Sequence, residues 1–299
     1  MSTSVRPTAR LAGVTKRRLR SVAYRRQWFL GIRRRRPGTL PHEDPHPWRE
    51  ISPPPDRQWA DPFVFERNGE TVVFFEQLDR RETKGELAVA RLDPDGELGD
   101  PRPILRARHH LSYPYVFRDG GNALMIPESG EARRIELWAA TDFPTGWTRV
   151  EILLEGVQAV DATVLHHGGL YWMWVSQPST NGRLDAETFL YLSDRLESGW
   201  TAHPASPVAS DARWARPAGR PFLHRDALIR PAQDCAGRYG SRVVFNEVEV
   251  LTPDEYREKP VGSLGPSWAA GRNLCAHTYT FDGGFEATDG RRLVSRLRP

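Results

Sequence analysis

A hairpin motif that recurs five times constrains the fold of this chain more than any other feature of its sequence. The first copy, WADPFVFERNGETVVFFEQ (59–77), has two segments rich in Val and Phe around Asn68-Gly69. This dipeptide is the strongest short-range signal for a two-residue hairpin turn. The further copies turn at Gly120-Gly121, Gly168-Gly169, Asp226-Ala227 and near Gly283-Gly284. Self-similarity at intervals of about 50 residues is typical of a β-propeller with one four-stranded blade per repeat. The sequence therefore predicts an all-β, five-bladed β-propeller.

The turn positions also predict which residues face each other at the open end of every hairpin. Counting back from the turns, the predicted pairs are Asp61 with Glu76, Tyr113 with Glu128, Asp161 with Ser176, and Gly219 with Asp234, and the fifth copy begins near residue 276. The first strand of each blade lines the central channel of a propeller, so equivalent positions converge on one opening. The ring of carboxylates predicted there is Asp61, Glu76, Glu128, Asp161 and Asp234.

A turn-capping role is the alternative for these acids. An Asp at a strand start, such as Asp61 or Asp161, often accepts hydrogen bonds from nearby backbone amides and does nothing else. Glu76 and Glu128, however, follow buried apolar runs, FFEQ and IPES. An unpaired carboxylate there is costly. Because acidic residues recur at matching positions of the hairpins, a functional site is favoured over turn capping. The candidate catalytic groups are Asp61, Glu128 and Asp161.

Other polar residues near the same ends of the hairpins are candidate ligand-binding groups. Arg230 supplies a fixed fork of donors for a carboxylate, a phosphate or a sugar diol, or neutralises the acidic ring. Gln233 and Asp234 lie beside it in IRPAQD. His277 is placed for acid–base chemistry or hydrogen bonding. Tyr113 is the aromatic residue that we expect to stack on a sugar. Glu76 is the remaining candidate ligand-binding residue.

Neither a metal site nor a cofactor site is expected. His109-His110 and His166-His167 are sequence neighbours. Neighbours on a strand point to opposite faces, which is poor ligand geometry. The glycine-rich pieces at 119–121 and 167–169 are hairpin turns and not phosphate loops, because no helix follows them.

The N-terminal residues differ from the rest of the chain in charge. Most of the net charge of +4 comes from the basic clusters at 16–20, 25–26 and 33–36. We expect residues 1–40 to form a basic, solvated arm with a ring-closing strand at 27–33, and residues 41–299 to form the propeller. Contact of the arm with an anionic membrane surface is the disfavoured alternative. Nucleic acid is not an expected partner, because basic residues are not interleaved through the body.

The sequence predicts a cytoplasmic location. Its two cysteines, Cys235 and Cys275, are too few for the disulfide framework of a secreted protein. RRQWFL (25–30) is followed by GIRRRRPG and not by the apolar core that a twin-arginine export signal requires. No apolar run reaches the ~18 residues of a transmembrane helix.

Several motifs together resemble one propeller family over about residues 55–292. They are WADPFVFE (59–66), KGELAVARLD (84–93), HHLSYPYVF (109–117), MIPES (125–129), AVDATVL (159–165) and RPAQDC (230–235). The family is the domain found N-terminal to the glycosyltransferase of plant glucosamine inositolphosphorylceramide transferase, with bacterial relatives. It is distantly similar to five-bladed propeller glycosidases. That resemblance implies that Asp61 is a base or nucleophile and that Asp161 orients substrate or tunes a pKa. The choice of Glu128 as general acid rests on hairpin geometry alone.

Two functions remain open from the sequence. The first is a carbohydrate-active propeller that works on a glycan or glycoconjugate with paired carboxylates, one ionised and one protonated. The second is a non-catalytic glycan-binding or scaffold module that supports a transferase partner.

Overall fold

Five four-stranded antiparallel sheets make up the fold. A computed structural model describes residues 24–180, 182–271 and 273–295. Within these ranges helix is limited to two 3₁₀ turns, Gly130–Ala132 and Pro266–Trp268. The predicted all-β, five-bladed propeller is confirmed.

The strands in chain order are β1 (Tyr24–Arg34), β2 (Arg49–Ile51), β3 (Arg57–Arg67), β4 (Glu70–Asp79), β5 (Glu86–Leu92), β6 (Arg102–Leu105), β7 (Ser112–Asp119), β8 (Asn122–Glu128), β9 (Arg134–Asp142), β10 (Gly146–Glu155), β11 (Val160–His167), β12 (Leu170–Ser176), β13 (Thr188–Ser193), β14 (Thr201–Ala202), β15 (Phe222–His224), β16 (Ala227–Asp234), β17 (Arg242–Leu251), β18 (Tyr256–Leu264), β19 (Tyr279–Asp282) and β20 (Phe285–Ser295).

The N-terminal strand closes the ring of blades. Blades I to IV are formed by consecutive strands, β3–β6, β7–β10, β11–β14 and β15–β18. Blade V has the order β19-β20-β1-β2, and β1 pairs with β20 from Tyr24 opposite Ser295 to Arg34 opposite Phe285. Residues 27–33 lie within this pairing. Joining β1 to β20 in one sheet covers an edge of the last blade.

Four of the five predicted hairpin turns are confirmed, and the turn of blade IV is displaced by one residue. In blade IV, His224 pairs with Ala227, so the turn residues are Arg225 and Asp226, with φ of 48° and 66°. Two positive φ values are typical of a type I′ turn, which normally contains Gly or Asn. Because the first turn residue is an arginine, the sequence lacks the Gly or Asn that would mark this turn. The prediction of Asp226-Ala227 was therefore wrong.

An extra residue shifts the register near the open end of the hairpins in blades I to III. Ala60 pairs with Glu76, Ser112 with Glu128, and Val160 with Ser176, each beyond a shift in register. The sequence had predicted Asp61, Tyr113 and Asp161 as the partners of Glu76, Glu128 and Ser176. Each of these three predicted pairs was therefore wrong by one residue. A β-bulge of this kind leaves the extra residue unpaired and redirects its side chain.

The arginines at 33–35 belong to the blades and not to a solvated arm. Arg33 is buried, forms an ion pair with Glu286, and donates to the carbonyl groups of residues 41, 44 and 46. Arg34 and Arg35 lie over aromatic rings of blade V, 4.2 and 3.6 Å from the ring centroids. The basic cluster at 16–20 lies outside the described residues.

Apolar side chains fill the space between neighbouring blades. The largest cluster joins blades I, II and III, with Phe63, Phe74, Tyr115 and Met125 among its buried members. The first strand of blade I contacts the first strands of blades II and V. A rigid core therefore holds the inner strand ends in place. Within the residues that the structure describes, no helix has the length and apolar character needed to cross a membrane.

Candidate functional site

Three blades carry a non-glycine residue with left-handed backbone at the same bulge. Asp61, Tyr113 and Asp161 have φ of 53°, 43° and 56°. Gly219 follows in blade IV with φ of 137°. Such conformations cost about 1–3 kcal/mol each and cluster at functional sites. A bulky aromatic residue in this region is a genuine outlier. The repeated bulge thus marks one end of the channel as the candidate site.

We call this end of the channel the mouth. Its members interact with one another through charges, hydrogen bonds or ring contacts; they are Asp61, Glu76, Glu128, Asp161, Arg216, Tyr239, His277 and Asp289, with Trp28 and His110 at its border.

Asp61 joins blades I, II and V. Its Oδ1 accepts a hydrogen bond of 2.6 Å from Thr278 Oγ1, and its Oδ2 accepts one of 3.2 Å from the backbone N–H of Tyr113. Burial raises the pKa of Asp61 to about 6; His277 opposes the rise, and the charges of Asp289 and Asp161 add to it. Asp61 is therefore mostly ionised at neutral pH and stays within reach of protonation.

Asp289, in β20, accepts hydrogen bonds that fix the positions of Asp61 and His277. Its Oδ2 accepts from the backbone N–H of Asp61 at 2.9 Å and from His277 Nδ1 at 2.6 Å. Its Oδ1 accepts from the backbone N–H groups of His277 and Thr278 at 3.0 and 3.2 Å. The residue is fully buried. Sequence reasoning missed Asp289, because it lies on the second strand of the most divergent hairpin.

His277 is brought into the mouth with a defined orientation. Since Nδ1 donates to Asp289, Nε2 faces Asp61, 3.6 Å from its Oδ1. Burial lowers the pKa of His277, but the charges of Asp289 and Asp61 outweigh burial and raise the pKa overall. The imidazole also stacks on Trp28, with 4.3 Å between ring centroids. Trp28 was missed because it belongs to β1, far from the repeat.

Asp161 forms a buried ion pair with Arg216. Arg216 Nε lies 2.5 Å from Asp161 Oδ2, and the Asp161 side chain is 2% exposed. Gln233 Nε2 donates to the same oxygen at 3.2 Å and to the carbonyl of Pro217 at 3.0 Å. Gln233 therefore lies at the mouth, where its ligand-binding role stays a prediction, and Arg216 is a third residue, after Asp289 and Trp28, that the sequence did not reveal.

Glu128 and Glu76 are carboxylic acids that hold their protons to unusually high pH. Burial raises the pKa of Glu128 to about 7; the hydrogen bond from the backbone N–H of Gly130 opposes the rise, and the charge of Asp161 adds to it. Ser112 Oγ donates to Glu128 Oε2 at 3.1 Å. Burial, with the charges of Asp61 and Glu128, raises the pKa of Glu76 well above its usual value. The mouth thus combines ionised and protonated carboxyl groups near pH 7.

His110 lies beside Glu76, and the imidazole ring of His110 is in its neutral form. The backbone N–H of Gly85 donates to His110 Nδ1 at 2.9 Å, so the proton of the neutral ring lies on Nε2, 3.6 Å from Glu76 Oε1. Burial lowers the pKa of His110, which keeps the ring uncharged at neutral pH. His110 therefore adds an N–H donor to the mouth.

Three of the mouth residues also form the group best arranged to hold a metal ion in the described part of the chain. Asp61, His277 and Asp289 present ligand atoms within 4.8 Å of one another. Each oxygen of Asp289 already accepts two N–H hydrogen bonds, and His277 Nδ1 is a donor. A cation would have to displace these bonds, so the group fits a hydrogen-bond network better than a metal site.

The structure does not bring Tyr113, Arg230 or Asp234 to the mouth as ligand-binding groups. Tyr113 is fully buried; its hydroxyl contacts Thr163 Oγ1 at 2.8 Å and accepts from the backbone N–H of Gly219 at 2.7 Å. Its ring has no face open to a sugar, so the predicted stacking role is wrong.

Arg230 and Asp234 are used elsewhere in blade IV. Arg230 is buried and pairs with Glu258 at 2.6 Å, so it neutralises that residue and not the acidic ring. Asp234 accepts from the backbone N–H of Ala236 and lies 3.7 Å from Arg242. Because the turn of blade IV is displaced by one residue, cross-strand partners move by two positions, so Asp234 does not lie opposite Gly219; it pairs with Arg242 on the next strand.

Strand order and mouth together define a five-bladed propeller with a buried, partly protonated acidic site at one end of its channel. The chain belongs to the family described as Glucosamine inositolphosphorylceramide transferase 1, N-terminal, which matches residues 52–276. It is 33% identical over 219 residues to Glucosamine inositolphosphorylceramide transferase 1 of Oryza sativa subsp. japonica, covering 72% of this chain and 29% of that protein. The chain therefore spans less than a third of the length of this relative.

Solved structures with a similar fold are glycoside hydrolases. An exo-beta-1,3-galactanase from Clostridium thermocellum matches with a TM-score of 0.57 and 17% identity, over 71% of this chain and 52% of that one. A family 117 glycoside hydrolase from Zobellia galactanivorans matches with a TM-score of 0.55 and 13% identity, over 91% of both chains. At these identities the likeness establishes the fold.

Proposed function

We propose that the mouth binds a glycan or glycoconjugate, and that Asp61 and Glu128 act on it as base and acid. The observation that carries this proposal is the contrast between two buried carboxyl groups, with the pKa of Asp61 raised to about 6 and that of Glu128 to about 7. Glycoside hydrolysis needs one ionised and one protonated carboxyl group on either side of the bond that is cleaved.

Each polar group of the mouth has a role in this proposal. Asp61, ionised above pH 6, is the base or nucleophile, and two hydrogen bonds hold its carboxylate in place. Glu128 keeps its proton for the leaving group. Asp161, fixed by Arg216, helps to raise the pKa of Glu128 and does not itself transfer a proton. The name of the plant relative, Glucosamine inositolphosphorylceramide transferase 1, contains a sugar and supports a sugar as the ligand.

A non-catalytic glycan-binding module is the second candidate, and blade IV favours it. Gly219 occupies the position at which blades I and III carry an Asp, and a Cβ there would overlap the carbonyl oxygen of Tyr279. Blade IV therefore cannot place an acid at that position. Since matched relatives are more than three times as long as the matched region, this candidate includes a transferase as partner. The predicted cytoplasmic location is part of either proposal, and the free thiols of Cys235 and Cys275 are compatible with it.

A glycan-array screen followed by a product assay tests the proposal. For a glycan that binds, Asp61→Asn and Glu128→Gln should each abolish product formation while the variants remain folded and still bind the glycan. Asp282→Asn, at the hairpin tip of blade V, is the matched control and should leave turnover unchanged. Binding without turnover by the wild type would favour the second candidate. Absence of binding to every glycan would contradict both.

A further inference from the structure

The two carboxyl oxygens of Glu128 have partners of different kinds. Oε1 accepts a hydrogen bond of 2.7 Å from the backbone N–H of Gly130. A backbone N–H donates and never accepts, so Oε1 is an acceptor in both protonation states of Glu128. Oε2 lies 3.1 Å from Ser112 Oγ, and a hydroxyl group can both donate and accept. The proton of neutral Glu128 therefore lies on Oε2, beside Ser112.

Glu76 is the equivalent residue of blade I, and it has neither of these partners. Opposite it on β3 lies Ala60, which has no hydroxyl group. The backbone N–H of Gly85, which lies against Glu76 Oε1, donates to His110 Nδ1 instead. In the part of the chain that the structure describes, no hydrogen bond reaches the Glu76 carboxyl, and His110 Nε2 lies 3.6 Å away. Of two carboxyl groups at matching positions, only Glu128 has donors that stabilise its ionised form.

The Ser112 hydroxyl fits Glu128 in both protonation states. It accepts from Oε2 while Glu128 is protonated and donates to the same oxygen once Glu128 is ionised. Burial is the main cause that raises the pKa of Glu128, and the Ser112 hydroxyl is among the groups that oppose the rise. Ser112 is itself buried and precedes Tyr113, the residue with left-handed backbone at the bulge. Its side chain is therefore held beside Glu128 by the fold of the blade.

We propose that Ser112 is a positioning residue for Glu128, which holds the proton on Oε2 and stabilises the carboxylate that remains once the proton has been transferred. This role rests on the proposed function of Glu128 as the acid and deepens it. In that reaction the proton passes from Oε2 to the leaving-group oxygen as the bond between this oxygen and the sugar breaks. The Ser112 hydroxyl then turns and donates to Oε2. Glu76, which has no such partner, keeps its proton.

Titration of the Glu128 carboxyl carbon by ¹³C NMR, on the full chain, tests this role without a ligand. Glu128→Gln removes the signal and so assigns it. The wild-type midpoint should lie near pH 7. In Ser112→Ala it should rise by about one pH unit, a tenfold weaker acid, because the carboxylate loses a donor. The charged groups that face Glu128, namely Asp161, Arg216 and Glu76, are the same in both proteins. An unchanged or lower midpoint would overturn the proposal.

A rescue variant and a control separate the hydroxyl from packing. Ser112→Thr keeps the hydroxyl and should return the midpoint to near pH 7. Ser129→Ala is the control, because Ser129 is buried next to Glu128 but donates to the carbonyl of Arg134 at 3.0 Å; the midpoint should not move. An equal rise in this control would contradict a specific role of Ser112. If Ser112→Ala does not fold, Ser112→Cys replaces it, and its weak thiol donor should also raise the midpoint.

Turnover of a glycan links this effect to the proposed function. Because the acid must be protonated, activity should fall above the pKa of Glu128, and Ser112→Ala should move this upper limb of the pH profile to higher pH. A weaker acid should also lower kcat, by up to about tenfold, with little change in KM. A raised NMR midpoint without a shift of the upper limb would contradict the role of Glu128 as the acid and leave the position of its proton in place.

Discussion

Replacing Asp289 by Asn tests the hydrogen-bond network that holds the mouth together. Both oxygens of Asp289 accept two N–H groups each, from residues 61, 277 and 278. Asparagine has nearly the same shape, but one of its two ends is an NH₂ group. Turned toward Asp61 and His277, that group faces one backbone N–H and a ring nitrogen that can accept in the other neutral tautomer; turned the other way, it faces two backbone N–H groups. A buried donor left without an acceptor costs about 1–3 kcal/mol, so the free energy of unfolding should fall by about 1–6 kcal/mol.

Urea unfolding followed by fluorescence and circular dichroism measures this loss. Asp93→Asn is the matched control, because Asp93 also accepts from two backbone N–H groups, at 2.9 and 2.8 Å, but lies exposed in a turn. Water can replace its acceptor, so the control should lose less than about 1 kcal/mol. If Asp289→Asn lost no more than the control, the argument that Asp289 fixes Asp61 and His277 would be refuted.

Three further predictions follow from the same geometry. Gly219→Ala should prevent stable folding, because φ is 137° and the added Cβ would overlap the carbonyl of Tyr279, whereas Gly237→Ala, with open space around it, should change the unfolding midpoint little. Tyr113→Phe should cost about 1–3 kcal/mol in urea unfolding by leaving the backbone N–H of Gly219 without its acceptor; an unchanged midpoint would contradict the structural role of Tyr113. Glu128→Gln should alter the pH dependence of stability. A carboxyl whose pKa is raised on folding contributes stability below its unfolded value of 4.5 that is lost as pH rises through about 7. Between pH 4 and pH 8 the wild type should therefore lose roughly 3 kcal/mol more than Glu128→Gln, and parallel pH profiles would show that Glu128 titrates normally.

Local signals predicted the blades correctly. Turn dipeptides such as Asn68-Gly69 and Gly168-Gly169 determine hairpins through backbone geometry that only a few residues adopt. Their repetition was enough to predict the number of blades, and it located Asp61, Glu128 and Asp161 near one opening. The exact pairing could not be read in the same way. A β-bulge adds one residue without any change in composition, and its left-handed φ falls on Asp and Tyr where Gly would be expected.

The missed residues of the mouth come from outside the repeat pattern. Arg216 lies in the connection 203–217, whose Ala, Pro and Ser content is typical of a surface segment, yet the connection folds inward and its Ala215 is fully buried. Trp28 enters from β1, which reaches blade V only because the ring closes. Asp289 can be identified from the N–H donors that surround it in the structure, but the residues next to it in the sequence give no signal. Contacts between distant segments depend on the assembled propeller, so no local pattern reports them.

A crystal structure of the protein with a bound sugar would show whether the mouth is the binding site. We expect the sugar to lie in the mouth, with oxygen atoms within hydrogen-bond distance of Asp61 and Arg216. A cavity of about 620 Å³ lined by Arg34, Arg35, Arg36 and Phe285 lies elsewhere on the molecule and is the competing location. A sugar bound in that cavity, with the mouth filled only by water, would contradict a binding site at the mouth.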